Sequence, residues 1–115
     1  MKTKDALFAL GALAQESRLA IFRLLVELGP DGSSVGKIAD ALSLPAATLS
    51  FHLKELAHAG LLVSRQEGRF VWYVANFDAM NGLVAYLTEN CCGGHGVCAP
   101  QCAPQSTKAK RRKAA

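Results

Sequence analysis

The sequence predicts a mainly α-helical domain that carries one β-hairpin, on three observations. Apolar residues recur at helical spacing through four stretches that end before Gly60. The period then becomes strand-like in two short runs around a turn containing Gly68. A fifth helical stretch follows, and after it the composition shifts to Gly, Cys and Pro and then to a basic end.

The elements follow in order. The first helix is expected over Asp5 to Ala14, with Leu7, Leu10, Leu13 and Ala14 as its buried stripe. A second begins near Glu16 and buries Leu19, Ile21, Phe22, Leu25, Val26 and Leu28. Gly29-Pro30-Asp31-Gly32 stops it. Ser34 is an N-cap for a third helix holding Val35, Ile38, Ala39 and Leu42. Ser43-Leu44-Pro45 breaks the chain and opens a fourth, because proline suits a first helical turn. Leu49, Leu53 and Leu56 line the inner face of that helix, and Gly60 ends it in a left-handed cap. Strands are expected over 61–65 and 70–74, joined by 66–69. The last helix should span Asp78 to Glu89, with Met80, Leu83, Val84 and Leu87 on one face. Two short helices around a tight turn, followed at once by a hairpin, make a winged helix-turn-helix.

The chain therefore divides into a winged-helix DNA-binding and dimerisation domain (1–90), a thiol-rich segment (91–104) and a basic tail expected to be disordered (105–115). The formal charge is +4. Five of the positives are Lys108, Lys110, Arg111, Arg112 and Lys113, and without them the remainder carries −1, by 4 minus 5. Net charge favours an anionic partner but says little about the folded part. No secretory leader or membrane-spanning run is visible, so the cytoplasm is the expected compartment and no membrane is an expected partner. A chain of 115 residues has a small core, which a dimer would enlarge.

Ala14-Gln15-Glu16-Ser17-Arg18-Leu19, the run from Ala46 to Leu56, Ala59-Gly60-Leu61-Leu62 and the run from Glu67 to Tyr73 together resemble the ArsR/SmtB family of metal-responsive repressors. The resemblance covers roughly residues 5 to 90. It implies a homodimer joined through its first and last helices and released from operator DNA by a metal. Two departures stand out. The segment Ser33 to Asp40 lacks the thiol pair that many arsenic and cadmium members carry there, and the last helix has Asp78 but no histidine, unlike zinc members. Cys91-Cys92 followed by Cys98 resembles instead a subgroup of arsenic sensors with C-terminal thiols.

With the leucines inward, Ala47, Thr48, Ser50, Phe51 and Lys54 point away from the core of the recognition helix, where base edges are read. Thr48 and Ser50 donate and accept hydrogen bonds, and Ala47 and Phe51 suit a thymine methyl. The resemblance adds His52, at the edge of the buried stripe, where a half-buried structural histidine is the alternative. Arg65 and Arg69 lie in or beside the wing and suit phosphate or a narrow minor groove, with solvated charge as the alternative. Arg18 is a phosphate contact or the partner of Glu16 or Glu27. Tyr73, Tyr86 and Trp72 read as core or interface.

Cys91, Cys92, Cys98 and Cys102 all fall within twelve residues. In a reducing compartment such thiols read as metal or redox chemistry. Three thiolates satisfy arsenite, or antimonite, in a pyramidal arrangement, and soft sulfur selects soft ions. Gly93, Gly94 and Gly96 let Cys98 fold back onto Cys91 and Cys92. The rival is zinc, or cadmium, through Cys92, His95, Cys98 and Cys102. A third reading is a redox switch that pairs Cys92 with Cys98 or Cys102. No shaped pocket with a catalytic base is evident, so an enzyme is not expected.

Overall fold

The computed structural model describes residues 1–94 of the chain. Its elements are α1 (Thr3–Leu13), α2 (Glu16–Leu28), β1 (Ser33–Ser34), α3 (Val35–Leu42), α4 (Ala46–His58), β2 (Leu62–Glu67), β3 (Phe70–Ala75) and α5 (Phe77–Leu87), with the five helices and the hairpin in the expected order. Short 3-10 turns occupy Gly29–Asp31 and Cys91–Gly94. This is a mainly helical winged helix-turn-helix with a three-stranded antiparallel sheet in the order β1-β3-β2.

The core forms where α2, α3 and α4 meet the base of the wing. Ile21, Leu25, Ile38, Leu49, Leu53, Leu56 and Leu61 are fully buried there. Burying each such side chain contributes about 1.5–3 kcal/mol. The inward leucines of α4 are thus those its spacing predicts.

The first helix departs from expectation. Ala6 and Ala9 form its buried side, while Leu7 is 65% and Phe8 59% exposed and Leu10 also faces out. Short side chains let α1 lie close against its neighbours, and that approach turns the bulky residues outward. The Thr3 hydroxyl is hydrogen-bonded to that of Tyr86 and ties α1 to α5. In α2, Leu19 and Leu28 likewise stay exposed while Ile21, Phe22 and Leu25 fill the core.

After α2 the chain turns through Gly29 (φ 73°) and Gly32 (φ 66°). At Gly32 a Cβ would stand 2.2 Å from the carbonyl oxygen of Tyr73, so only glycine admits this crossing. The crossing creates β1, which the sequence reading lacks: Ser33 pairs with Tyr73 and Ser34 with Trp72. Ser34 then caps α3 as expected, its hydroxyl accepting from the Lys37 N–H at 3.4 Å.

Ser43 ends α3 in the left-handed region (φ 54°, ψ 44°). Pro45 is the N-cap of α4 and not a first-turn residue, with an extended backbone (φ −61°, ψ 144°). Gly60 follows the last turn of α4 at φ 83°, the left-handed geometry expected of it. The wing hairpin is longer than expected, because pairing runs from Leu62↔Ala75 out to Glu67↔Phe70. Only Gly68 and Arg69 remain as the turn, with Gly68 at φ 64° in the first position.

Asn76 starts α5: its side-chain oxygen accepts from the Ala79 N–H at 3.1 Å, and its amide donates to the Gly60 carbonyl at 3.0 Å. Leu83 is buried, but Val84 and Leu87, expected on the same face, are exposed. The helix stops at Leu87 and not at Glu89: the Thr88 N–H still reaches the Val84 carbonyl at 3.1 Å, but the Glu89 N–H bonds to the Tyr86 carbonyl, three residues back, at 3.2 Å.

Candidate nucleic-acid interface

The helix-turn-helix is α3, the turn Ser43–Pro45, and α4. Because Leu49, Leu53 and Leu56 anchor α4 from inside, its other face is fixed in solvent. Ala47, Thr48, Ser50, Phe51 and Lys54 are all exposed on it. Pro45 offers no side-chain cap to the first turn, so the leading N–H groups stay open to an anion.

His52 sits differently. It is buried, and its Nδ1 accepts from the Arg18 guanidinium at 3.4 Å. Arg18 also donates through Nε to the Ala12 carbonyl at 2.7 Å. Neither glutamate expected as a partner is joined to it by a salt bridge. The pair locks the start of α2 and the end of α1 to the middle of α4. His52 is therefore off the exposed face, and its surroundings are those of the structural alternative.

The wing projects beside α4. Arg65 and Glu67 lie on one face of β2 and form an ion pair at 2.6 Å, both exposed. That pair cancels its own charge locally. Arg69 at the tip is exposed and enters no ion pair among the described residues. Inward from the tip, Trp72 donates its indole N–H to the Asp31 carbonyl and lies under the Lys37 ammonium, 5.8 Å from the ring centroid. This brace between wing and α3 escaped the sequence reading, because nothing in local spacing relates residues 31, 37 and 72.

The thiols begin at the far end of α5. Cys91 is a free thiol, with its sulfur 3.7 Å from that of Cys92. Cys92 is disulfide-bonded. His95, Cys98, Cys102 and the basic tail lie outside the described residues. Among the described residues no three His, Cys, Asp or Glu side chains gather into a cation site. No described helix is long and apolar enough to cross a membrane.

An anchored recognition helix with a polar outer face, beside a hairpin tipped by an open arginine, defines a winged helix-turn-helix DNA-binding protein. Residues 13–65 match the family model of a helix-turn-helix domain. The chain is 32% identical over 81 residues to the arsenical resistance operon repressor of Bacillus subtilis, covering 70% of this chain and 73% of that protein. It is 31% identical over 87 residues to the transcriptional activator HlyU of Vibrio cholerae, covering 76% and 78%. Among solved structures, an ArsR-like transcriptional regulator from Rhodococcus sp. RHA1 is similar with a TM-score of 0.63 at 28% identity, covering 73% of this chain and 76% of that one. A homodimeric winged helix-turn-helix DNA-binding domain from Mycobacterium bovis is similar with a TM-score of 0.61 at 27% identity, covering 80% and 85%. The chain belongs to the ArsR/SmtB family of winged-helix transcriptional regulators, and it is a DNA-binding regulator and not an enzyme.

Proposed function

We propose that the protein is a homodimeric repressor that leaves its operator when trivalent arsenic, or antimony, is bound by the thiolates of Cys91, Cys92 and Cys98. The observation that carries this reading is the position of the first two thiols. Their sulfurs lie 3.7 Å apart, one short turn beyond the end of α5. Sulfurs at that separation can share one ion through bonds of about 2.3 Å, the usual Zn–S length, at a near-tetrahedral angle. The donor set is sulfur, which suits a thiophilic ion. Cys92 must be reduced to take part.

The exposed side chains of Leu7, Phe8 and Leu10 on α1 and of Val84 and Leu87 on α5 support dimerisation. Exposed apolar residues of this size on two helices that pack against each other suit association. The homodimeric Mycobacterium bovis domain supports the same assembly, and the Bacillus relative, a repressor of an arsenical resistance operon, supports repression and the inducer. DNA contacts are assigned to Ala47, Thr48, Ser50, Phe51 and Lys54 on α4 and to Arg65 and Arg69 on the wing. His52 acts through the position of α4.

Binding would tie Cys98 to the thiols at the end of α5 and load the helix end. A shift there moves α1 and α5, and with them the separation of the two recognition helices. Half-site spacing is about 34 Å, so a small rotation weakens the operator complex. X-ray absorption at the arsenic edge on the reduced protein tests the ligand set, with sulfur-only coordination expected. Nitrogen bound directly to the ion, or sulfur and nitrogen together around zinc in the protein as isolated, would assign the site to zinc through His95 and Cys102. A redox-responsive repressor is the second reading, favoured by the disulfide at Cys92. It requires that oxidation alone releases the operator.

A further inference from the structure

Phe70 is the most exposed large apolar side chain among the described residues, at 66%. It follows Arg69 directly and pairs across the hairpin with Glu67. It makes no ring contact among the described residues, where Phe51 leans on His52 and Trp72 lies beneath Lys37. Residues directly opposite on paired strands share a sheet face, so Phe70 stands beside the Arg65–Glu67 ion pair and points away from Leu62 and Ala75 at the buried base. The neutralised carboxylate of Glu67 removes the acidic charge that would repel phosphate next to the ring.

We propose that Phe70 is a wedge that enters a base step of the minor groove beside the wing and bends the operator. The occupant is duplex DNA, on two grounds. Arg69 supplies charge complementarity at the adjoining position, and the wing continues the surface of α4. A phenylalanine beside a cation has the chemistry of groove-bending proteins: the cation follows the narrow groove while the ring partly unstacks one step. Flexible pyrimidine–purine steps open most easily, so Phe70 selects for them at positions where no hydrogen bond is made to a base edge. The inference rests on the reading that the wing faces DNA.

The test uses the full reduced chain and a duplex recovered by selection from random DNA with this protein. 2-Aminopurine is placed in turn at each flanking position, and bending is read by energy transfer between the duplex ends. The wild-type protein is expected to raise fluorescence at one flanking step and to bend the duplex by about 20–90°. Phe70→Ala should lose both signals, and Phe70→Leu, which keeps an apolar wedge, should retain them. Arg69→Ala should lower the salt dependence of binding by about one counterion. An unchanged salt dependence in Arg69→Ala would mean that the wing is off the DNA, which overturns the underlying reading. A reduced dependence in Arg69→Ala, with wild-type fluorescence and bending in Phe70→Ala, would overturn the wedge alone. Loss of the dimer in Phe70→Ala would place the ring in a protein interface and also overturn it. Thermal unfolding at the wild-type midpoint confirms that each variant is folded.

Discussion

The guanidinium of Arg18 donates to Nδ1 of His52 at 3.4 Å, joining the first turn of α2 to the middle of the recognition helix. Arginine only donates, so Nδ1 is the accepting nitrogen of this pair. The second donation, to the Ala12 carbonyl, brings the end of α1 into the same lock. Because α1 also bears the exposed apolar face, Arg18 and His52 link the surface assigned to dimerisation with the helix assigned to base reading.

Arg18→Ala is expected to destabilise the domain by about 1–3 kcal/mol, the cost of leaving partly buried partners unsatisfied. Operator affinity should fall while its salt dependence stays at the wild-type slope, because this arginine is spent inside the fold. Urea unfolding and binding titrations at several salt concentrations check both. A shallower slope would return Arg18 to the phosphate contacts.

The charge on the DNA face makes the opposite prediction for the wing and α4. The chain without its five tail cations carries a formal −1, so affinity depends on where the cations sit. Arg69→Ala should weaken specific and random DNA alike and lower the salt slope by about one. Thr48→Ala and Ser50→Ala should leave the slope unchanged and reduce discrimination between operator and random DNA, with each lost base contact costing about 1–3 kcal/mol. Competition binding against random duplex separates the two behaviours.

Gly32→Ala is expected to disrupt β1. A non-glycine residue at φ 66° costs about 1–3 kcal/mol in backbone strain, and the Cβ also meets the Tyr73 carbonyl at 2.2 Å. The Trp72 bond to Asp31 should loosen with the strand, so tryptophan fluorescence in the native state should shift as well. A loss below about 0.5 kcal/mol in urea unfolding would contradict this account of the turn.

Much of this fold was legible in the sequence. The leucine spacing in α4, the cap at Ser34, Gly60 after α4 and the glycine in the wing turn each act through local chemistry that one stretch of chain reveals. The missed features depend on residues far apart. Strand β1 has two residues, too few for any period, and exists because Gly32 lets the chain cross Tyr73. The bulky face of α1 reads as core by spacing, but the tightest packing is achieved by Ala6 and Ala9. Of the candidate site, the exposed residues of α4 followed from the inward leucines. The burial of His52 did not, because its partner Arg18 is 34 positions away.

The apolar surface of α1 and α5 makes a further prediction. Leu87→Glu, a change at an exposed position, should leave the protomer folded but shift the protein toward monomer in sedimentation analysis. Operator affinity should fall with it, since two linked half-sites bind as one. A variant that stays dimeric and binds normally would move the interface elsewhere. The apolar cavity of 390 Å³ between α2 and α5, lined by Phe22, Val26, Met80 and Val84, would then be the next surface to mutate.

Coupling between the thiols and the recognition helices is the central claim, and operator release measured by fluorescence anisotropy tests it most directly. The reduced protein is titrated onto its selected duplex with and without arsenite, alongside the four single cysteine-to-serine variants. Arsenite should weaken the wild-type complex by about 5- to 150-fold, the usual range of allosteric coupling, and DNA should weaken arsenite binding by the same factor. Cys91→Ser, Cys92→Ser and Cys98→Ser should bind DNA normally and fail to release it, while Cys102→Ser should still respond. Release in all four variants, or loss of the response in Cys102→Ser alone, would contradict the account.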